Sequence, residues 1–229
     1  MEDLTIEISP QALSLGVRIV YAIIDGVSVS RGDPELEKYL TEVVTRARGE
    51  YVLESLKDNP VIRAYRDFFW RIGIDPTKTR PSSEALMRRI LKGRSIPRIN
   101  NVVDSGNLAS VVTLVPIGLY DVSKIEGHLS IRMAREGERF EPIGSGEEEL
   151  TGKEIVLADE RKVIHLYPHR DSERTKIDKN TRKVLVIACG VPGVESNLLM
   201  RAASLTLELI AKFAGGKVVQ EPTLAPSSS

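Results

Sequence analysis

Residues 17–24 are a dense β-branched run bounded by Gly16 and by Asp25-Gly26. Such a run reads as a buried strand, and it commits the chain to a sheet with helices packed on it. Other segments agree. Leu4, Ile6 and Ile8 alternate with polar residues, as do Leu129, Ile131 and Met133 within residues 128–134. That period of two marks half-buried strands. Residues 154–157, 163–167 and 184–189 are short apolar runs between turn residues, which suits further strands.

Between these lie helical signals. Asp33-Pro34 places a capping side chain before a proline, and Leu36, Leu40, Val43, Val44 and Ala47 follow at helical spacing to Gly49. Asn59-Pro60 opens a second helix with Val61, Ile62, Tyr65, Phe68, Phe69 and Ile72 on its apolar face. A third begins at Ser82 or Ser83 and runs to Gly93, and a fourth begins after Asp104 with Leu108, Val111, Val112 and Val115 inward. A long helix over residues 194–214 carries Leu198, Ala202, Leu205, Leu209 and Phe213, closed by Gly215-Gly216. The expected class is therefore α+β (mixed α/β), in a single domain over residues 1–220 with a disordered tail over 221–229.

Several functions are set aside. The single cysteine, Cys189, excludes an internal disulfide and a multi-Cys zinc site, and in its apolar run it reads as a structural thiol. His128, His165 and His169 have no metal-site spacing, so neither a metal nor a cofactor is expected. No phosphate-loop or dinucleotide glycine motif occurs. No apolar run reaches the roughly 18 residues of a membrane span, and the acidic start lacks a signal-peptide pattern, so a cytoplasmic protein without a membrane partner is expected. The net charge is zero, but it is segregated: residues 78–98 hold seven bases and one acid, and residues 136–149 hold six acids and one base.

Three polar stretches carry more than scaffold. In residues 73–84, Arg80 precedes a proline that fixes its loop, and Ser82 stands at a helix start suited to an anion. In residues 97–107, Asn100, Asn101 and Asn107 offer donors and acceptors together, and Asp104 can cap a helix or pair with Arg98. In residues 169–176, His169 is a candidate general base, and Arg170, Asp171 and Thr175 are candidate ligand-binding groups. Arg88, Arg89, Lys92, Arg94 and Arg98 are candidate nucleic-acid contacts.

The run Tyr65-Arg66-x-Phe68-Phe69 followed by Gly73-Ile74-Asp75-Pro76-Thr77-Lys78-Thr79-Arg80-Pro81-Ser82-Ser83-Glu84 resembles the B3/B4 domain of phenylalanyl-tRNA synthetase beta subunits. So do Ile99-Asn100-Asn101-Val102-Val103-Asp104-Ser105-Gly106-Asn107-Leu108, Pro116-Ile117-Gly118-Leu119-Tyr120-Asp121 and Thr181-Arg182-Lys183-Val184-Leu185, so the motif-bearing core covers about residues 60–190. The resemblance implies a module that hydrolyses a wrongly attached amino acid from tRNA, with a water positioned in an amino-acid pocket. It places Asn107 on the pocket asparagine and Gly106 where synthetases often have threonine. Gly118 falls where bacterial synthetases have a pocket histidine, and Ile187 where they have the glutamate that reads a phenolic hydroxyl. Two polar groups are thus replaced, which puts tyrosine specificity in doubt, because a site built to bond a hydroxyl discriminates by about 10⁴ or more and an apolar one far less. Synthetase charging motifs are absent. Three readings follow: an aminoacyl-tRNA deacylase acting in trans, a binding module for tRNA, an amino acid or another small polar ligand, and an interaction protein of the translation machinery docking through residues 136–149.

Overall fold

The computed structural model describes residues 4–225. Eleven strands among the described residues form three sheets. A four-stranded sheet is built from β2 (Arg18–Asp25), β3 (Ile117–Asp121), β10 (Lys183–Gly190) and β11 (Lys217–Leu224), in the order β11-β2-β10-β3. A five-stranded sheet has the order β1-β4-β7-β8-β9, from β1 (Ile6–Ile8), β4 (Leu129–Met133), β7 (Ile155–Ala158), β8 (Val163–Leu166) and β9 (Arg170–Asp171). A hairpin pairs β5 (Glu136–Phe140) with β6 (Glu148–Thr151).

The two buried runs of the sequence are the two central strands of the four-stranded sheet. β10 pairs antiparallel with β2 and with β3. Alternation then sends the side chains to two cores. Ala22, Ile24, Val184, Val186 and Leu119 face α5 (Asn101–Thr113) and α6 (Ser196–Ala214). Tyr21, Ile23, Leu185, Ile187 and Tyr120 face the five-stranded sheet and α3 (Pro60–Arg71), among Tyr65, Phe68, Phe69, Ile131 and Leu157. A strand apolar on both faces is stable only between two such layers.

The helix starts follow from capping. Asp33 accepts from the Leu36 N–H at 2.9 Å to open α2 (Pro34–Glu50), and Asn59 accepts from the Val61 N–H at 3.0 Å to open α3. α4 (Ser82–Leu91) packs Met87 and Ile90 against α2 and α5.

Several expectations need correction. α5 starts at Asn101, not after Asp104, because Asn100 is its cap and accepts from the Val103 N–H at 2.9 Å. β3, β11, the β5–β6 hairpin and a short helix α1 (Pro10–Ser14) were not expected. β11 pairs with β2 through Leu224, so residues 221–224 of the expected tail are sheet; residues 226–229 lie outside the described residues. The expected strands over residues 17–24, 128–134, 154–157, 163–167 and 184–189 are β2, β4, β7, β8 and β10.

Candidate functional site

α5 lies against β3 with no spacer between them. A Cβ added at Gly106 would stand 2.6 Å from Leu119 Cδ1, so a larger residue there would have to displace the Leu119 side chain. The next residue, Asn107, opens on two clefts at once. The first has a volume of about 770 Å³ and lies between the start of α5, β3 and residues 176–180. Ile99, Val103, Ile117, Leu119, Ile143 and Ile177 make its apolar wall, and Asn100, Asn107 and Asp171 are polar groups within it. The second has a volume of about 590 Å³ and lies along α4. It is lined by Lys78, Arg80, Arg88, Arg89, Lys92 and Arg94, with Ser82, Asn107 and His169, and no acid lines it among the described residues.

An acid stands behind that basic wall. Glu84 is fully buried, and Arg66 Nη1 donates to both its oxygens at 2.9 and 3.2 Å. Arg88 Nε lies 3.5 Å and Arg80 Nε 4.0 Å from the same carboxylate. The lone acid of a basic stretch thus sits within ion-pair reach of two of the cleft's guanidinium groups, while the buried Arg80 Nε has no hydrogen-bond partner among the described residues.

His169 packs edge-on against Phe69 with ring centroids 5.5 Å apart, and its buried Nδ1 has no hydrogen-bond partner. Burial, reinforced by His165 and Arg170, lowers its pKa from 6.5 to about 4. The ring is neutral near neutral pH, available as an acceptor but a weak one. Stability carries the same signature. Above 6.5 neither folded nor unfolded chain protonates this histidine; as pH falls toward 4 only the unfolded chain does, and folding weakens by up to about 2–3 kcal/mol. Denaturant titrations across this window should show that slope, and His169→Gln should remove it; an unchanged slope in the variant would count against the burial argument.

The remaining predicted site residues are used by the scaffold. Asn101 donates to the Ser28 and Phe213 carbonyls, both at 2.9 Å, and accepts from the Ser30 N–H at 2.9 Å. Asp104 accepts from Arg98 Nε and from the Ile99 N–H, both at 3.0 Å, and Arg98 also reaches Glu37, so Arg98 lies outside the basic cleft. Arg170 pairs with Glu148 at 2.9 Å on the β5–β6 hairpin and lines neither cleft. Thr175 is buried with an unpaired hydroxyl. The acidic stretch is largely neutralised within the fold, by Arg132 on Glu138, Arg139 on Glu147 and Arg174 on Glu141.

Gly118 does not line a cleft. It sits directly opposite Ile187 in the β3–β10 register, and both face the core. Two residues along the same face, Tyr120 folds its ring over Gly118, and its hydroxyl donates to Asp171 Oδ1 at 2.9 Å. The Nδ1 of His165 is 2.9 Å from that same oxygen. Tyr120 and His165 were missed by the sequence reading; the cue for Tyr120 was an aromatic two positions from a glycine in a strand.

Among the described residues no helix is long and apolar enough to cross a membrane, and no group of three or more His, Cys, Asp or Glu is placed to hold a metal ion.

The sequence model of a family described as B3/4 domain matches residues 64–215. The phenylalanine–tRNA ligase beta subunit of Streptococcus pyogenes serotype M3 is 28% identical over 223 residues, covering 94% of this chain and 26% of that protein. The same subunit from Bartonella henselae is 32% identical over 105 residues, covering 46% of this chain and 13% of that protein. A crystal structure of an N-terminal fragment of the phenylalanyl-tRNA synthetase beta subunit from Pyrococcus horikoshii superposes with a TM-score of 0.51 at 18% identity, covering 95% of this chain and 51% of that one. The chain thus spans about a quarter or less of these curated relatives.

Proposed function

Because the chain belongs to the B3/4 domain family, we propose that it binds the aminoacylated end of a tRNA and hydrolyses the ester in trans. The observation that carries this reading is the position of Asn107, shared by an apolar-walled cleft and a basic one. The first cleft has the size of a small-ligand site and takes the aminoacyl group. The second takes phosphates, which guanidinium forks and ammonium groups bind without reading sequence. The ester joining the two parts then lies beside the Asn107 amide. There the amide N–H donates to the carbonyl oxygen or holds the attacking water. The water oxygen bonds to the carbonyl carbon as its proton passes to an acceptor such as neutral His169; the bond from that carbon to the ribose oxygen then breaks, and the ribose oxygen takes that proton back and leaves as a hydroxyl.

A second reading, a module that binds without chemistry, draws on the burial of Gly118 and Ile187, where the resemblance expects polar pocket groups. Deacylation of a panel of mischarged tRNAs separates the two. The hydrolase reading expects release from at least one of them, slowed about 100-fold by Asn107→Ala. Release indistinguishable from buffer for every tRNA would sink it. If tRNA is nonetheless retained, and Arg89→Glu with Lys92→Glu flattens the salt dependence by about 1.5 in log–log slope, the binding reading stands.

A further inference from the structure

The first cleft holds one carboxylate whose charge is not spent inside the protein. Asp178 also lines it, but Lys124 Nζ takes that carboxylate at 2.7 Å. Lys176 lines it and is paired with Glu173, and Arg31 and Lys179 stand exposed at its rim. Asp171 is different. Its Oδ1 accepts from the Tyr120 hydroxyl and stands 2.9 Å from the His165 ring nitrogen, while no side chain among the described residues bonds its Oδ2. Its side chain is 34% exposed. The two partners come from different sheets, Tyr120 from β3 and His165 from β8, so the carboxylate is clamped where the sheets meet. A carboxylate held this way is preorganised for a ligand, with little ordering left to do on binding. Around it the wall is Ile117, Leu119, Ile143 and Ile177.

A fixed anion in an apolar cleft takes a monocation with an apolar body. We propose that Asp171 binds the free α-ammonium of the aminoacyl group and so selects amino acids with an unblocked amine and an apolar side chain. The proposal rests on the aminoacyl reading of this cleft. It places specificity on a strand edge and a buried hydroxyl, away from the positions of Gly118 and Ile187. Asp171 acts on binding, and Tyr120 acts through it as a positioning residue.

Isothermal titration with hydrolysis-resistant probes tests this. The probes are aminodeoxyadenosine amides of apolar L-amino acids, each beside its N-acetyl derivative. The free-amine form of at least one should bind about 10- to 100-fold more tightly than its acetylated partner. Asp171→Asn keeps the acceptor for Tyr120 and His165 but removes the charge, and should bring the two forms to parity by weakening the free-amine form alone. Tyr120→Phe, which leaves Asp171 intact and held by His165 alone, should give intermediate discrimination. Equal binding of both forms by the wild-type protein, or full discrimination by Asp171→Asn, overturns the assignment while leaving the cleft an aminoacyl site. Failure of every probe to bind overturns the aminoacyl reading itself, and the assignment with it.

Discussion

Glu84→Ala should lower the free energy of unfolding by about 3–4 kcal/mol, because it strips the counter-charge from a buried cluster and leaves its partners unpaired. The carboxylate is inaccessible to solvent, and three guanidinium groups converge on it: Arg66, which contacts both oxygens, Arg88 and Arg80. The arginines are 17–37% exposed and regain some hydration, which places the loss at the lower end of the range for broken buried pairs. Glu84→Gln keeps the shape and one acceptor but not the charge, and falls between. Urea unfolding of the three proteins measures the series. A loss under about 1 kcal/mol for Glu84→Ala would show that the arginines hold their places by other means. The functional corollary runs the other way. Arg80 and Arg88 keep their own charges when Glu84 is removed, so the basic cleft becomes more positive and tRNA retention at low salt should not fall.

That cluster shows where sequence reasoning reached and where it stopped. The caps at Asp33-Pro34 and Asn59-Pro60 were legible because capping is local: the side chain bonds a backbone group three residues away or fewer. The strands of β2 and β10 were legible because apolar runs announce burial. Asn100 and Asn101 were both legible as important; Asn100 caps α5 and also lines the first cleft, whereas Asn101 is spent on the backbone. A side-chain amide that caps a helix and one that grips a ligand are the same group, and only the distant Ser28, Ser30 and Phe213 backbone decided that Asn101 is a pin. β11 was hidden because it mixes Lys217, Gln220, Glu221 and Thr223 with few apolar residues and carries Pro222, the composition of a tail as much as of an edge strand. The acids of residues 136–149 looked like a docking face; their arginine partners lie up to 33 residues away, beyond any local pattern.

The candidate site divides in the same way. The basic stretch over residues 78–94 survives as a cleft wall because a helix keeps near neighbours together. The meeting of Asn107 with His169 across 62 positions, and of Tyr120 with Asp171 across 51, depends on how two sheets stack. Gly118 and Ile187, where the resemblance expects polar pocket groups, were visible singly. That they are cross-strand partners covered by one tyrosine became visible only with the register.

Gly118→Ala is therefore the sharpest test of this cross-strand packing. The added Cβ would stand 2.7 Å from Tyr120 Cζ and closer still to the hydroxyl. Tyr120 is fully buried and tied by its hydroxyl to Asp171, so moving the ring breaks that bond. Overpacking of about 1–3 kcal/mol and loss of the Tyr120–Asp171 bond combine to about 3 kcal/mol of destabilisation. The cause is tested by coupling. Tyr120→Ala alone should cost about 3–5 kcal/mol, but with the ring gone the methyl at position 118 has room, so the double variant should be no less stable than Tyr120→Ala. Gly49→Ala, in α2 with no atom within 4 Å of the new Cβ, supplies the opposite sign, a gain of about 0.5–1 kcal/mol. Additive losses at positions 118 and 120 would mean that the two side chains do not compete for one space. The ring would then not be what closes the space over Gly118.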